Sequence, residues 1–209
     1  MANLPVVTLL TDFGHVDPFV GIMKGVILSC CPEAVLVDLS HEVPAFDILG
    51  ASFLLQSAVR YFPPQAIHLA VVDPGVGGDR RPLAARIDGR LFVAPDNGLL
   101  TYPLAAGRLE ALHVLAAERY RLTPVSATFH GRDIFAPAAG HLAAGVPLAE
   151  LGPAAEDPVR LPLPEPQREA GGAIRGRVVW IDRFGNCITN LTAAELAAVA
   201  AAGQPAHVV

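Results

Sequence analysis

The stretch VVTLLTDFG, residues Val6–Gly14, is a continuous apolar run that ends in a polar turn. Such a run is typical of a strand buried on both faces of a sheet. Two similar runs follow at 34–38 and 67–72, and apolar residues with helical spacing lie between them at 18–29 and 47–61. This alternation predicts an α/β fold in which right-handed crossovers join the strands of one sheet.

The chain changes character after the third strand. An Asp-Gly pair at 88–89, flanked by apolar runs, predicts a tight β-hairpin. Residues 135–144 are predicted to form a helix, and 173–181 alternates as a strand does. An Ala-rich stretch at 192–202 predicts a last helix, with its first residue, a threonine, as the N-cap.

Five prolines between 152 and 172 disfavour both helix and central strand. We therefore expect an N-terminal α/β domain over 1–152, a Pro-rich linker over 153–172 and a second domain over 173–209. That last segment, of about 37 residues, is short for a core of its own, so it is expected to lean on the first domain or on another subunit.

Composition excludes several classes of protein. The net charge of −5 and the lack of a Lys/Arg cluster argue against a nucleic-acid partner. No run reaches the roughly 20 apolar residues of a membrane span, and the first residues do not resemble a signal peptide. Cys30, Cys31 and Cys187 form no C-x-x-C motif, which favours unpaired thiols in a cytoplasmic protein.

Carboxylates follow the predicted strands at Asp12, Asp38 and Asp73. Ligands of open α/β sheets bind beyond the carboxyl ends of the strands, and a group of carboxylates there suits a cationic ligand or a sugar diol. The alternative for any one of them is a helix cap or an ordinary turn residue.

The loop DPGVGGDR, from Asp73 to Arg80, is rich in glycine but has neither a dinucleotide nor a P-loop pattern. Its glycines allow Arg80 to return to Asp73 and to form a bidentate, charge-assisted pair that keeps the acid ionised. A structural salt bridge or a solvated loop explains the same residues equally well.

Among seven histidines, His130 has the most suggestive surroundings, because Gly131 leaves space beside it and charged residues follow. No two histidines combine i, i+4 spacing with a carboxylate partner, so we expect no metal site. The segment 182–186, DRFGN, is a polar turn with one aromatic residue and is by itself unremarkable in function.

Taken together, six motifs in this order resemble the S-adenosylmethionine hydroxide adenosyltransferase family, the hydrolase branch of a superfamily that also contains fluorinating and chlorinating enzymes. The match runs over essentially the whole chain. The motifs are TDFG (11–14), SHEVPAFD (40–47), VDPGVG (72–77), APDNGLL (94–100), FHGRDIFAP (129–137) and DRFGN (182–186).

The resemblance implies an N-terminal α/β/α sandwich followed by a C-terminal β-barrel, in a homotrimer whose substrate lies between subunits. Members of the family usually continue through several more strands after the position of Val209. We therefore expect a truncated barrel here, as in a fragment, or an altered adenine pocket.

The resemblance also implies hydrolysis of S-adenosylmethionine to adenosine and methionine, with no metal and no cofactor. The family's Asp, Arg and His that hold the attacking water correspond to Asp73, Arg80 and His130. The substrate-binding positions correspond to Asp12 for the ribose, Phe46 for an aromatic residue beside the substrate, Asp182 and Asn186 for the methionine portion, and also Phe13 and Gly131.

Two alternatives remain open from the sequence. One is a halogenating lyase of S-adenosylmethionine, which Asp73 and His130 disfavour, since the halogenating relatives lack both and carry a halide-contacting serine at the position of Gly131. The other is a non-catalytic module that binds S-adenosylmethionine or adenosine.

Overall fold

The predicted α/β class is confirmed by the computed structural model, which describes residues 4–169 and 173–201. The chain divides into two compact units, with the boundary between Leu161 and Pro162. The second domain as a β-barrel stays a prediction. No helix of the described ranges is long and apolar enough to cross a membrane.

The first unit consists of one sheet with helices on both sides. Its strands are β1 (Val6–Thr11), β2 (Val35–Ser40), β3 (Ile67–Val71), β4 (Pro82–Ile87), β5 (Arg90–Pro95) and β6 (Leu109–Val114). Its α-helices are α1 (Phe19–Cys30), α2 (Ile48–Val59), α3 (Thr101–Ala106) and α4 (Ala136–Ala143). Short 3₁₀ turns at Glu118–Tyr120 and Leu148–Leu151 and a π-helical turn at Gly131–Phe135 complete it.

The order of strands in the sheet is β2-β1-β3-β5-β4-β6. The first four strands of that order run parallel, and β4 is antiparallel to both β5 and β6. Thr11 at the end of β1 lies opposite Val71 at the end of β3. The chain therefore leaves the sheet towards Asp12 and towards Asp73 at the same edge and at the same height.

Two apolar layers enclose the sheet. On one face Val7 and Leu69 pack with Met23 of α1 and Ala139 of α4, all fully buried. The other face buries a separate set that includes Leu55 of α2. The first unit is thus the three-layer α/β/α sandwich that the resemblance implied.

Local signals explain several boundaries. Asp47 caps α2, because its Oδ1 accepts a hydrogen bond of 2.9 Å from the Gly50 N–H. Asp88 and Gly89 both have positive φ, 45° and 74°, as the two-residue turn between β4 and β5 requires.

The structure also corrects three expectations. Asp38 does not follow a strand, because β2 continues to Ser40 through its pairing with Leu10 of β1. The segment 173–181 is two short strands rather than one, and the helix at 136–143 is preceded by a π-helical turn. Neither α3 nor β6 was expected from the sequence.

The second unit contains β7 (Gln167–Arg168), β8 (Ile174–Arg175), β9 (Val178–Ile181), β10 (Cys187–Thr189) and α5 (Ala193–Ala201). Antiparallel pairing joins β7 with β8 and β9 with β10. Thr192 caps α5, since its Oγ1 accepts from the Glu195 N–H at 3.3 Å while Glu195 accepts from the Thr192 N–H at 2.7 Å.

The buried His68 should make the stability of the first unit depend on pH. Burial, assisted by the charge of Arg90, lowers the pKa of His68 to about 4. Between pH 6.5 and pH 4 this histidine binds a proton in the unfolded chain but stays neutral in the folded chain. The free energy of unfolding should therefore fall by about 3 kcal/mol as the pH drops from 6.5 to 4.

Urea unfolding of the wild type and of His68→Asn at pH 7 and pH 4.5 measures this contribution. Asparagine can still accept from Thr8 but cannot take up a proton, so the variant should lose less stability on acidification. Equal losses in both proteins would contradict the assignment.

Candidate active site

Asp73 and Arg80 form a closed ion pair at the carboxyl end of β3. The Arg80 Nε donates to Oδ1 and Oδ2 of Asp73 at 3.0 and 2.9 Å, and Nη2 donates to Oδ2 at 2.5 Å. The side chains are 4% exposed for Asp73 and 10% for Arg80. The bidentate geometry predicted from the loop sequence is therefore present.

The glycines of the loop make this return possible. The Val76 N–H donates to the Asp73 carbonyl and the Gly78 N–H to the Gly75 carbonyl, so the loop folds back in two successive turns. Gly77 has a φ of 77°, and a Cβ there would lie 2.2 Å from the Ala127 carbonyl oxygen. Only glycine fits at that close approach.

Arg80 also joins the pair to His130. Its Nη2 lies 2.7 Å from His130 Nδ1. Since a guanidinium can only donate, Nδ1 must accept, and the ring proton of neutral His130 then sits on Nε2. Burial, followed by the positive charge of Arg80, lowers the pKa of His130. The structure thus brings Asp73, Arg80 and His130 together around one guanidinium.

Asp133, which sequence reasoning did not single out, ties this cluster to its surroundings. It is 1% exposed, and its carboxylate accepts from Arg132 Nε at 2.6 Å and from the Ser126 N–H at 2.7 Å. Burial opposes ionisation, but these hydrogen bonds outweigh it and lower the pKa of Asp133. Asp133 therefore fastens the loop that carries Ala127, the residue packed against Gly77. The Arg-Asp pair directly after His130-Gly131 was the available signal.

Asn97 is a second residue that was missed. Its Nδ2 donates to the Val72 carbonyl at 2.9 Å, and its Oδ1 accepts from the Leu99 N–H at 3.2 Å. The backbone immediately before Asp73 is held in this way by the turn that follows β5. The available signal was the Asp-Asn-Gly sequence within the motif APDNGLL.

The Asp12 side chain is hydrogen-bonded to the backbone of Phe46. Asp12 Oδ2 accepts from the Phe46 N–H at 3.0 Å. Phe46 has a φ of 67° and is 66% exposed. A non-glycine residue in this region costs on the order of 1 kcal/mol, and such strain concentrates at functional sites.

Phe13 and Gly131 meet in an aromatic cluster. The Phe13 ring lies edge-to-face with Phe19 at 6.1 Å and with Phe129 at 6.2 Å. A Cβ at Gly131 would approach the Phe13 and Phe129 rings to 3.3 and 3.2 Å. Two of the predicted substrate-binding positions are therefore neighbours in space, and one of them, Gly131, directly follows His130 in the chain.

Asp182 and Asn186 lie in the second unit, in a turn of their own. Asp182 Oδ1 accepts from the Phe184 and Asn186 N–H groups at 2.9 Å each, and Asn186 Nδ2 donates to Oδ2 at 2.7 Å. The hydrogen bonds from Asn186 lower the pKa of Asp182.

Within 4–169 and 173–201, no group of His, Cys, Asp and Glu side chains is arranged to hold a metal ion.

Comparison with known proteins agrees with this geometry. The model of the SAM hydroxide adenosyltransferase N-terminal domain matches residues 7–152. The chain belongs to the SAM hydroxide adenosyltransferase family. Within it, a protein of Salinispora tropica named (R)-S-adenosyl-L-methionine hydrolase is 46% identical over 189 residues, which cover 89% of this chain and 72% of that protein.

A solved structure from Thermotoga maritima, of an uncharacterized conserved protein, superposes with a TM-score of 0.84 at 37% identity and covers 88% of this chain and 71% of its own. A protein of Actinoplanes named fluorinase is 30% identical over 92% of this chain and 73% of its own. This member of the SAM hydroxide adenosyltransferase family thus resembles the Salinispora hydrolase more than that fluorinase.

The hydrogen bond from Arg80 predicts the tautomer of His130. Imidazole nitrogen signals in ¹H–¹⁵N correlation spectra should show the proton on Nε2 at neutral pH, and the pKa of His130 should lie below 6.5. Arg80→Met removes the positive charge and leaves Asp73 in place, so the pKa should rise. A proton on Nδ1 in the wild type would contradict the geometry.

Proposed function

We propose that this protein hydrolyses S-adenosylmethionine to adenosine and L-methionine by attack of water on C5′ of the ribose. The observation that carries the proposal is the Asp73–Arg80–His130 cluster at the carboxyl edge of the sheet. It is supported by the family and by four relatives named as hydrolases of this substrate, at 36–46% identity.

The reaction needs positioning more than it needs a strong base. Water has a pKa of about 15.7 and an aspartate about 3.9, so full deprotonation before attack would cost roughly 16 kcal/mol. We infer that the C5′–O bond forms while the C–S bond breaks with its electron pair on sulfur, and that the water proton leaves late. The sulfonium departs as a neutral thioether, so the chemistry requires no metal or cofactor.

Each member of the cluster then has a distinct role. Asp73 accepts the proton on Oδ1, because that oxygen accepts only one hydrogen bond from Arg80 and keeps a second lone pair. Arg80 fixes the positions of Asp73 and His130 relative to each other. His130, whose Nδ1 is occupied by Arg80, offers its Nε2–H to the oxygen of the water and orients it.

The substrate positions follow the resemblance. Asp12 receives the ribose hydroxyls with the oxygen that Phe46 leaves free, and Phe13 and Phe46 lie beside the substrate. Gly131 presents no hydroxyl to a halide, which favours water. Asp182 and Asn186 bind the methionine portion.

Turnover with matched variants tests this proposal. The wild type in chloride-free buffer should release adenosine and methionine in a 1:1 ratio, and in H₂¹⁸O the label should enter the 5′ hydroxyl of adenosine. Asp73→Asn keeps the shape but loses the acceptor, so kcat should fall by at least about 100-fold. Arg119→Gln, at an exposed ion pair with Glu150, is the control and should stay within twofold.

No products from a wild type that binds the substrate would favour the non-catalytic module. Appearance of 5′-chloro-5′-deoxyadenosine when chloride is added would favour the halogenating lyase.

We also propose that the protein acts as a cytoplasmic homotrimer, with each site completed by a neighbouring subunit and without a nucleic-acid or membrane partner. The unpaired thiols support the cytoplasmic location, and the exposed Phe46 beside Asp12 supports a site completed by a neighbouring subunit. Light scattering coupled to gel filtration should give three times the 21.9 kDa mass of the chain. A monomer with full activity would contradict sites shared between subunits.

A further inference from the structure

A second buried polar pair lies at the carboxyl edge of the sheet, outside the Asp73 cluster. Thr11 Oγ1 is 2.8 Å from His41 Nδ1. Thr11 is 0% exposed and His41 1% exposed. A hydroxyl and an imidazole are costly to bury unless they are paired, so this contact must be maintained between the end of β1 and the loop after β2.

His41 holds the turn after β1 at both ends. Its ring contacts Thr11, whose Oγ1 also accepts from the Phe13 N–H at 3.2 Å. Its carbonyl accepts from the Gly14 N–H at 2.8 Å. The turn fastened between these points consists of Asp12 and Phe13, and the Asp12 carboxylate is in turn the acceptor for the Phe46 N–H.

The charges around His41 favour one orientation of this pair. His41 Nε2 lies 3.0 Å from Asp38 Oδ1, off the axis of an ideal hydrogen bond, and Lys24 Nζ lies 2.6 Å from Asp38 Oδ2. Burial lowers the pKa of His41, which keeps the ring neutral, and the carboxylate draws the ring proton to Nε2. Nδ1 is then the acceptor, so the Thr11 hydroxyl donates to it while accepting from Phe13.

We propose that the Thr11–His41 pair is a positioning device that aims the Asp12 carboxylate at the ribose diol of the substrate. The inference rests on the proposed function, which gives Asp12 that role. Neither residue touches the reacting atoms. The pair acts by fixing the turn from which Asp12 projects.

The same sheet supplies a matched control. Thr8 Oγ1 lies 2.9 Å from His68 Nδ1, and both residues are 0% exposed. This pair has the same chemistry and the same burial, and it also starts on β1. It lies inside the sheet, where Thr8 faces His68 across the strands and no turn depends on it. Loss of the Thr8 hydroxyl and loss of the Thr11 hydroxyl should lower the free energy of unfolding by similar amounts. Only loss of the Thr11 hydroxyl should weaken binding of the ribose diol.

The experiment compares binding of adenosine and of 2′,3′-dideoxyadenosine to four proteins, the wild type and three variants, by calorimetry. The wild type should prefer adenosine by at least about tenfold, as hydrogen bonds to a charged group allow. In Thr11→Val this preference should fall below about threefold, and in Thr11→Ser, which keeps the hydroxyl, it should return. Thr8→Val should keep the wild-type preference. Circular dichroism confirms that each variant is folded.

The outcomes separate this inference from the function on which it rests. An unchanged diol preference in Thr11→Val, with turnover by the wild type intact, would overturn the positioning role alone. Equal losses in Thr11→Val and Thr8→Val would also overturn it, since both would then report general destabilisation. A wild type that turns over substrate but shows no diol preference would remove the role of Asp12 and this inference with it. Absence of turnover would instead count against the proposed function.

Discussion

The Arg80 guanidinium is the interaction on which the candidate site depends. It donates to both oxygens of Asp73 and to Nδ1 of His130, so a single planar group sets the geometry of an acid and of an imidazole that are 57 residues apart in sequence. Removing it would leave a nearly buried carboxylate without its partner, which is a large destabilisation in a folded protein. The guanidinium returns to the end of β3 because the glycine loop folds back in close turns. The packing of Gly77 against Ala127 holds the loop in that conformation.

The parallel order of the sheet brings the other polar groups of the candidate site together. Because β1 lies between β2 and β3, the turns that follow all three strands meet at one edge, and polar groups collect where the backbone is no longer paired. Each turn is then tied to another: His41 to the turn after β1, Asp12 to Phe46, and Asn97 to the backbone before Asp73. The apolar layers below are closely filled, so these cross-ties are anchored on a rigid base.

Periodicity and turn chemistry were enough to predict the first three strands, the helices between them and the Asp-Gly hairpin, because each is encoded by neighbouring residues. The return of Arg80 to Asp73 was also predictable, since only seven residues separate them. The bond from Arg80 to His130 was not predictable from neighbouring residues, because it spans 50 residues, and only the family resemblance placed both residues at one water. The left-handed backbone of Phe46 is invisible in the sequence as well, since no glycine marks it and the Asp12 carboxylate, distant in the chain, holds it.

The two Thr–His pairs show why residue type alone is a weak guide to function. Thr8–His68 and Thr11–His41 share chemistry, burial and a strand, yet one lies within the paired sheet and the other at its edge. Inside the sheet, main-chain pairing already fixes both residues, so the side-chain bond adds only stability. At the edge the ladder has ended, and the conformation of the turn is decided by whatever side chains are bonded to it. The same pair of residues therefore changes from a core contact to a determinant of site geometry over the length of three residues of β1.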